Sequence, residues 1–372
     1  MIITRTPFRI SFFGGGTDYP EWYLRNGGST LSTTIDKYCY LTVRYLPPFH
    51  EYRFCIVYRQ IELCSGVSQI EHPAVRAVIQ HLGAERGLEM HYFGDLPARS
   101  GMGTSSAFTV GLLHAISALY GQMKSKEQLA REAIYLEQDV LQEVVGSQDQ
   151  VSAAFGGLNH ISFRRDGTFD VQPLPLSRDR LEELNSHLML FYTGIKRTAA
   201  KVAQTYVTGI EQKRPHLERM QEFVQEAISI LTSGEDLSRF GQLLHDAWQV
   251  KRGLSSSISN SQVDDMYSVA RKHGAIGGKL LGAGGGGFML VFAPPERHAE
   301  LREAFSDLIY VPVRMDFEGS RVVYFQPEQD YAELDLTRCH QQLRPMLDSD
   351  PIGFPDPNDD GSHISPAAKK PR

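Results

Sequence analysis

The segment Pro97-Ala-Arg-Ser-Gly-Met-Gly-Thr-Ser-Ser-Ala107 constrains the fold more than any other part of the chain. It follows a short strand-like run, His91-Tyr-Phe93. It leads into a stretch where Phe108, Val110, Leu112, Leu113, Ala115, Ile116 and Leu119 are apolar nearly all round. A helix without a polar face is a buried helix, so the pattern predicts one that begins at the loop's serines and is covered by further layers. Glycines let the backbone approach a ligand closely and expose its N–H groups, and a helix N-terminus adds about half a positive charge. Gly101, Met102, Gly103, Thr104, Ser105 and Ser106 are therefore expected to cradle phosphates, with a serine hydroxyl able to ligate Mg²⁺. The plain alternative is a glycine-rich turn with a serine helix cap. The order strand, loop, apolar helix favours phosphate. No GK[ST] follows, so this is not a Walker A loop, and GxGxxG of the dinucleotide folds is absent.

At 372 residues, two domains are expected. Tyr38–Tyr45 carries a strand signal, residues 52–64 fit a strand or hairpin, and Pro73–Leu82 a short helix. Ser125 with Gln128 fits a capping box, and Leu129, Ala133, Leu136, Val140 and Val144 continue at helical spacing until Gly146. Leu188–Tyr192 and Phe288–Phe292 read as buried strands. Residues 198–251 and 262–273 read as helical, and 309–326 as two strands around Glu318-Gly319. The mixture predicts an α+β protein. From about residue 346, Pro, Asp, Gly and Ser dominate, which predicts a tail without a core.

Several function classes are excluded at this level. The net charge of −6 does not suit a nucleic-acid binder. The four cysteines, Cys39, Cys55, Cys64 and Cys339, form no CxxC pair, and the histidines show no zinc spacing. No apolar run approaches ~20 residues, and the N-terminus lacks a signal pattern. A cytoplasmic enzyme with no membrane or nucleic-acid partner is expected, and a homo-oligomer is compatible.

Two more segments carry chemistry. In Thr6-Pro-Phe-Arg-Ile-Ser-Phe-Phe-Gly-Gly-Gly-Thr-Asp-Tyr19, Arg9 and Asp18 stand nine apart. A carboxylate accepts two hydroxyl donors well, and a guanidinium can stabilise a transferring phosphoryl group. In Lys279-Leu-Leu-Gly-Ala-Gly-Gly-Gly-Gly-Phe288, four consecutive glycines imply a close backbone approach. The plain readings are a surface turn and a flexible hairpin. Glu137 lies between Ile134 and Leu141, which sets a carboxylate within an apolar face, where it needs a cation or a salt bridge.

Taken in order, these three motifs resemble those of the GHMP kinase superfamily over roughly residues 1–325. The resemblance implies a two-domain fold, with an N-terminal unit like domain 2 of ribosomal protein S5 (1–187), a ferredoxin-like C-terminal unit (188–345) and a flexible tail (346–372). It implies an ATP-dependent kinase that uses Mg²⁺ held by Ser106 and Glu137. Asp149, in Gly146-Ser-Gln-Asp-Gln150, matches the catalytic base. Arg9 is implied beside the reacting hydroxyl, and Gly15, Gly16, Thr17, Asp18 and Gly284, Gly285, Gly286 around the substrate.

The galactokinases of that superfamily have Glu-His where this chain has Gly15-Gly16, and there the glutamate holds the sugar's 6-hydroxyl. Its absence opens space for a substrate extended beyond C6, and an anionic end is no longer repelled. Gly14–Asp18, Thr33–Tyr38 and Gly146–Gly157 look like the heptose 7-phosphate kinases of the superfamily. That implies a sugar phosphate substrate phosphorylated at C1, in GDP-heptose formation for capsule or lipopolysaccharide. Lys37, Arg44, Lys196 and Arg197 are candidates for the far phosphate. Two rivals are a C1 kinase of an unphosphorylated sugar, like the L-fucokinases, and a sugar or ATP sensor on the same fold.

Overall fold

The computed structural model describes residues 1–84, 86–195, 199–327, 331, 333 and 334. The expected tail, the two candidates Lys196 and Arg197, and Cys339 lie outside the described residues.

Strand β1 (Ile2–Phe13) alternates buried and half-buried residues up to Arg5, and every residue from Thr6 to Phe13 is buried. The change marks where layers cover both faces of the sheet. β1 pairs antiparallel with the long β2 (Gly28–Tyr45), with register shifts between Pro7 and Arg9 and between Ser11 and Phe13. β3 (Phe54–Val57) and β4 (Ile61–Cys64) form the expected hairpin, and β5 (Leu88–Gly94) lies between β2 and β3. β6 (Leu158–Phe163) pairs with β2 and with β7 (Phe169–Pro173). A second sheet holds β8 (Leu188–Tyr192), β9 (Gly277–Leu280), β10 (Phe288–Phe292) and β11 (Ile309–Val311), in the order β11-β8-β10-β9.

The last two strands depart from the sequence expectation. β12 (Met315–Asp316) pairs with β2, and β13 (Arg321–Phe325) with β1, so both join the large sheet and not the C-terminal unit in which sequence position set them. Gly319, at φ +72°, makes this return compact: a Cβ there would meet Ala154 O at 2.4 Å. Pairing across some three hundred residues leaves no local signature.

Helix α1 (Pro73–His81) and the apolar α2 (Thr104–Leu119) pack together, and α2 lies on β1 and β2. α3 (Lys126–Tyr135) starts with the capping box: Gln128 N–H donates to Ser125 Oγ (3.2 Å) and Ser125 N–H to Gln128 Oε1 (2.8 Å). The helix does not run on to Val144 as its spacing suggests. A π-helical turn, Leu136–Val140, follows, then an irregular stretch up to α4 (Gln148–Phe155). The extra residue of a π turn shifts the helical phase, and Val140 is left 45% exposed while Glu137 is buried. The C-terminal half includes α5 (Arg214–Thr232), α6 (Ser238–Arg252) and α7 (Ser261–Lys272), with shorter helices at Ala199–Val207 and His298–Ala304. Phe12 and Phe13 of β1 meet Phe240 of α6 edge-on, at 5.5 and 5.2 Å between ring centroids, so the core runs through both halves. Among the described residues no helix is long and apolar enough to cross a membrane.

Candidate active site

A cavity of about 340 Å³ opens where β1, the start of α2, the start of α4 and the β9–β10 loop converge. Its wall includes Arg9, Asp18, Gly101, Gly103, Ser106 and Asp149. Gly101 and Gly103 adopt φ +83° and +70°, which only glycine takes without strain. Gly103 is the residue before α2, and Ser105, in the first turn, is exposed. The unpaired N–H groups of that turn and the helix dipole make the loop an anion-binding element. Met102 does not belong to the wall: its side chain is fully buried, and its carbonyl accepts Arg9 N–H (3.1 Å).

Arg9 and Asp149 form a two-pronged pair. Arg9 Nε donates to Oδ1 and Nη2 to Oδ2, both at 2.7 Å, and Nη1 donates to Gly101 O at 2.6 Å. A Cβ on Gly103 would stand 3.2 Å from Arg9 Cγ and 3.5 Å from Asp149 Cγ. The glycine lets the loop lie directly over the pair. Arg9 is 5% exposed while the Asp149 side chain is 26% exposed, so the carboxylate faces the cavity and the guanidinium supports it from behind.

Asp18 is buried next to this pair. Its carboxylate accepts the N–H of Gly16 (2.8 Å) and of Gln148 (3.3 Å). Burial pushes its carboxyl above the usual range against the Gly16 hydrogen bond, and the charge of Asp149 adds to the rise. Gly16 needs glycine for its φ of +108°, whereas Gly15 has no obstacle nearer than Ser11 Oγ at 3.4 Å. Thr17 departs from its expected role. It is fully buried, and its hydroxyl is taken up by Gly14 O, Ser29 O and Ser29 N–H, so it shapes the turn and does not reach the cavity.

Glu137 is 1% exposed and sits in the π turn. Its Oε2 accepts Ser106 Oγ–H (2.8 Å) and the Gln150 side-chain amide, while its Oε1 has no partner. Burial pushes its carboxyl up to about 7. Among the described residues no cluster of three His, Cys, Asp or Glu could hold a metal. A cation here would take one carboxylate, the Ser106 hydroxyl, phosphate oxygens and water, the ligand set that Mg²⁺ accepts. The orphaned Oε1 fits that use.

The glycine loop after β9 is displaced from its expected place. The cavity wall takes in Gly282 and Ala283 and not Gly284–Gly286. A Cβ on Gly284 would meet Ile258 O at 2.8 Å, one on Gly286 would meet Ile195 O at 2.4 Å, and Gly285 N–H donates to Ile258 O. These glycines are packed by their own neighbours. Lys37 and Arg44 are also elsewhere: Lys37 pairs with Asp36 and Arg44 with Glu89. Sequence reading missed Ser11, Gln148, Lys251 and Lys279. Gln148 links the two carboxylates: its backbone binds Asp18, its Oε1 accepts Ser11 Oγ–H (2.8 Å) and its Nε2 lies 3.4 Å from Asp149 Oδ1. Its position next to Asp149 was the available signal. Lys251 stands in a long helical stretch with no signal at all.

Two family descriptions match the chain: GHMP kinases N terminal domain over residues 69–157, and GHMP kinases C terminal over 220–310. A mevalonate kinase from Pyrococcus horikoshii is 30% identical over 261 residues, covering 67% of this chain and 72% of that protein. The chain belongs to the GHMP kinases. It is thus an ATP-dependent phosphotransferase with the two-domain fold of that family. A D-glycero-alpha-D-manno-heptose 7-phosphate kinase from Campylobacter jejuni is 28% identical over 314 residues, covering 82% of this chain and 92% of the relative. The crystal structure of a D-glycero-D-manno-heptose 1-phosphate kinase from Bacteroides thetaiotaomicron superposes with a TM-score of 0.73 at 24% identity, covering 88% of this chain and all of that one. At that identity the superposition speaks for the fold alone.

Proposed function

We propose that this GHMP kinase phosphorylates the anomeric C1 hydroxyl of D-glycero-D-manno-heptose 7-phosphate, giving the 1,7-bisphosphate and ADP, a step toward GDP-heptose for capsule or lipopolysaccharide. The observation that carries the reading is the Arg9–Asp149 pair, set directly beneath Gly103 of the phosphate loop. A carboxylate aimed into a cavity, next to a helix start that binds phosphates, is the arrangement that moves a phosphoryl group onto a hydroxyl. The likeness over most of both chains to the Campylobacter heptose 7-phosphate kinase supports the choice of sugar, as does the acid-free Gly15-Gly16 turn.

In this mechanism Asp18 accepts two sugar hydroxyls and fixes the ring. The loop 101–106 holds the triphosphate through backbone N–H groups. The C1 oxygen attacks the γ-phosphorus, the bond to the β,γ-bridging oxygen breaks, and the hydroxyl proton passes to Asp149. Arg9 holds Asp149 in orientation through its two-pronged contact, and balances charge as the phosphoryl group transfers. Ser106 and Glu137 would hold Mg²⁺, which neutralises phosphate charge when bound. Positioning and electrostatics carry most of the rate, because the hydroxyl is a weak acid that gives up its proton late.

The test is ADP release across heptose 7-phosphate, mannose, mannose 6-phosphate, fucose and galactose, with phosphorus NMR of the product. Heptose 7-phosphate should give the highest kcat/KM, with the new phosphate on C1. Faster turnover of fucose or mannose would replace this reading with the sugar-only kinase. No ADP release with any of them would favour a sensor.

A further inference from the structure

Two lysines stand in the cavity where a cation is costly. Lys251, near the end of α6, and Lys279, in β9, are 7% and 4% exposed, and both line the wall. Each bonds only to backbone carbonyls. Lys251 Nζ donates to Leu280 O (3.3 Å) and Gly282 O (2.5 Å), and Lys279 Nζ to Phe12 O (2.8 Å). Two ammonium groups carry six donors, and three of them go to these carbonyls, which leaves three. Among the described residues neither lysine has a carboxylate within ion-pair distance. Asp149 is committed to Arg9, and Asp18 to the backbone of Gly16 and Gln148. Burial pushes the Lys251 ammonium down to about 7, helped by Arg9 and opposed by Asp18. It pushes Lys279 well below its usual range, with Lys251 and Arg9 adding to the effect.

We infer that Lys251 and Lys279 form the seat for the phosphate the sugar already carries, at the end remote from the reacting hydroxyl. The inference rests on the sugar-phosphate reading above. Its support is positional. Along β1, Phe12 lies three residues beyond Arg9, a rise of about 10 Å, and the Lys279 ammonium is tied to the Phe12 carbonyl. In this reading a seven-carbon sugar with C1 at Arg9 and Asp149 extends its phosphate end toward Phe12. The chain then turns through Gly15, where a Cβ would meet nothing nearer than Ser11 Oγ at 3.4 Å. A buried pair of amines with spare donors and no carboxylate partner is complementary to a dianion, whose own charge would hold them protonated. Lys37 and Arg44, the candidates from sequence, are paired on other parts of the surface.

The test compares phosphorylated with unphosphorylated heptose in the wild type and in Lys279→Met, Lys251→Met and Lys279→Arg, with calorimetry of inorganic phosphate in the absence of ATP. Each methionine variant should lose about 10- to 100-fold of the kcat/KM preference for the phosphorylated sugar, the value of a hydrogen bond to a charged group. Lys279→Arg should keep most of it, and KM for ATP should move less than about threefold in the Lys279 variants, the lysine that does not touch the loop packed on Gly101. In the wild type, inorganic phosphate should compete with the sugar phosphate and not with ATP, a readout that needs no variant to fold. A parallel loss on both sugars, or a tenfold rise in KM for ATP, would overturn the seat and make the lysines structural or nucleotide-binding. If the wild type accepts only unphosphorylated sugars, the substrate reading fails by itself. The lysines then remain an anion site if phosphate binding is lost in Lys279→Met, and the inference falls if the wild type binds no phosphate or Lys279→Met still binds it.

Discussion

A methyl group added at Gly146 would stand 2.0 Å from Asp18 Oδ2 and 2.5 Å from its Cγ. Ordinary contact begins near 3.4 Å, so the carboxylate has to retreat by about 1.4 Å, the difference between those two distances. Asp18 is buried and cannot retreat freely. Its oxygens are held by the Gly16 and Gln148 N–H groups at 2.8 and 3.3 Å, and a shift of that size breaks both bonds. A hydrogen bond to a charged group contributes about 1.5–3 kcal/mol. Overpacking a filled site costs about 1–3 kcal/mol in its own right. The expected result of Gly146→Ala is thus a lower thermal midpoint and a misplaced sugar carboxylate. A misplacement of about 1 Å costs roughly 100-fold in rate. Steady-state ADP release should show kcat/KM for the sugar down by about that factor, with KM for ATP changed by less than about threefold, since the three atoms nearest the added methyl all belong to Asp18 and none to the phosphate loop. Gly66→Ala is the matched control: nothing lies within 4 Å of a Cβ there, and it should change neither reading. A Gly146→Ala protein with normal kcat/KM would refute the assignment of Asp18 as the residue that fixes the sugar.

Asp149→Asn keeps an acceptor for Arg9 but cannot take a proton, so kcat should fall about 10²- to 10⁴-fold while ATP still binds by calorimetry; near-normal turnover would sink the assignment of the base. Glu137 has a carboxyl raised by burial to about 7 in the fold from its ordinary value of about 4.5, so between those values the folded state holds a proton that the unfolded state has released. The metal-free protein should lose up to about 3 kcal/mol of stability as pH rises from about 4.5 through 7. Glu137→Gln should flatten that slope in thermal melts at pH 5.5 and 8 and raise the Mg²⁺ concentration needed for activity, whereas an unchanged slope would refute the buried-carboxylate account. Gly15→Glu fits the open space at that position and sets an acid near the phosphate end of the sugar. Like-charge contact should cut the preference for the phosphorylated sugar at least about tenfold, and an unaltered ratio would show that the phosphate lies elsewhere.

What was legible in the sequence was mostly local. The apolar α2, the Ser125–Gln128 capping box and the buried strands β8 and β10 follow from periodicity and cap chemistry alone. Arg9, Asp18 and Asp149 stood out as parts of motifs and Glu137 as a carboxylate within an apolar helix face, and the structure brings Arg9, Asp18 and Asp149 to one cavity with Glu137 behind Ser106. What was not legible depends on long-range packing. Thr17 and Gly284–Gly286 look like ligand-contact residues because small and polar residues in a turn can serve a ligand or the turn itself. Here Ser29, Ile258 and Ile195 take up those groups. Lys251 is separated from β1 by some 240 residues, and nothing in its helix marks it as a site residue. β12 and β13 pair with strands at the opposite end of the chain, and nothing in their own composition marks those partners.

The glycines of the two phosphate-side loops have a shared purpose that neither loop reveals alone. A Cβ on Gly101 would meet Leu281 O at 2.5 Å, one on Gly282 would meet Gly101 Cα at 2.5 Å, and one on Gly287 would meet Ser100 O at 2.2 Å. All three have positive φ. The loop before α2 and the loop after β9 are thus packed backbone against backbone, and Phe288 N–H donates to Ser100 O across the contact (3.2 Å). Close packing of main chains transmits shape because neither side has a side chain to yield. The conformation of the phosphate loop is therefore set from the C-terminal half, and Lys251 extends the same connection by binding the carbonyls of Leu280 and Gly282. Arg9 closes the circuit from the other side, with its guanidinium on Gly101 O. Sugar pocket, phosphate loop and C-terminal loop thus meet at Gly101.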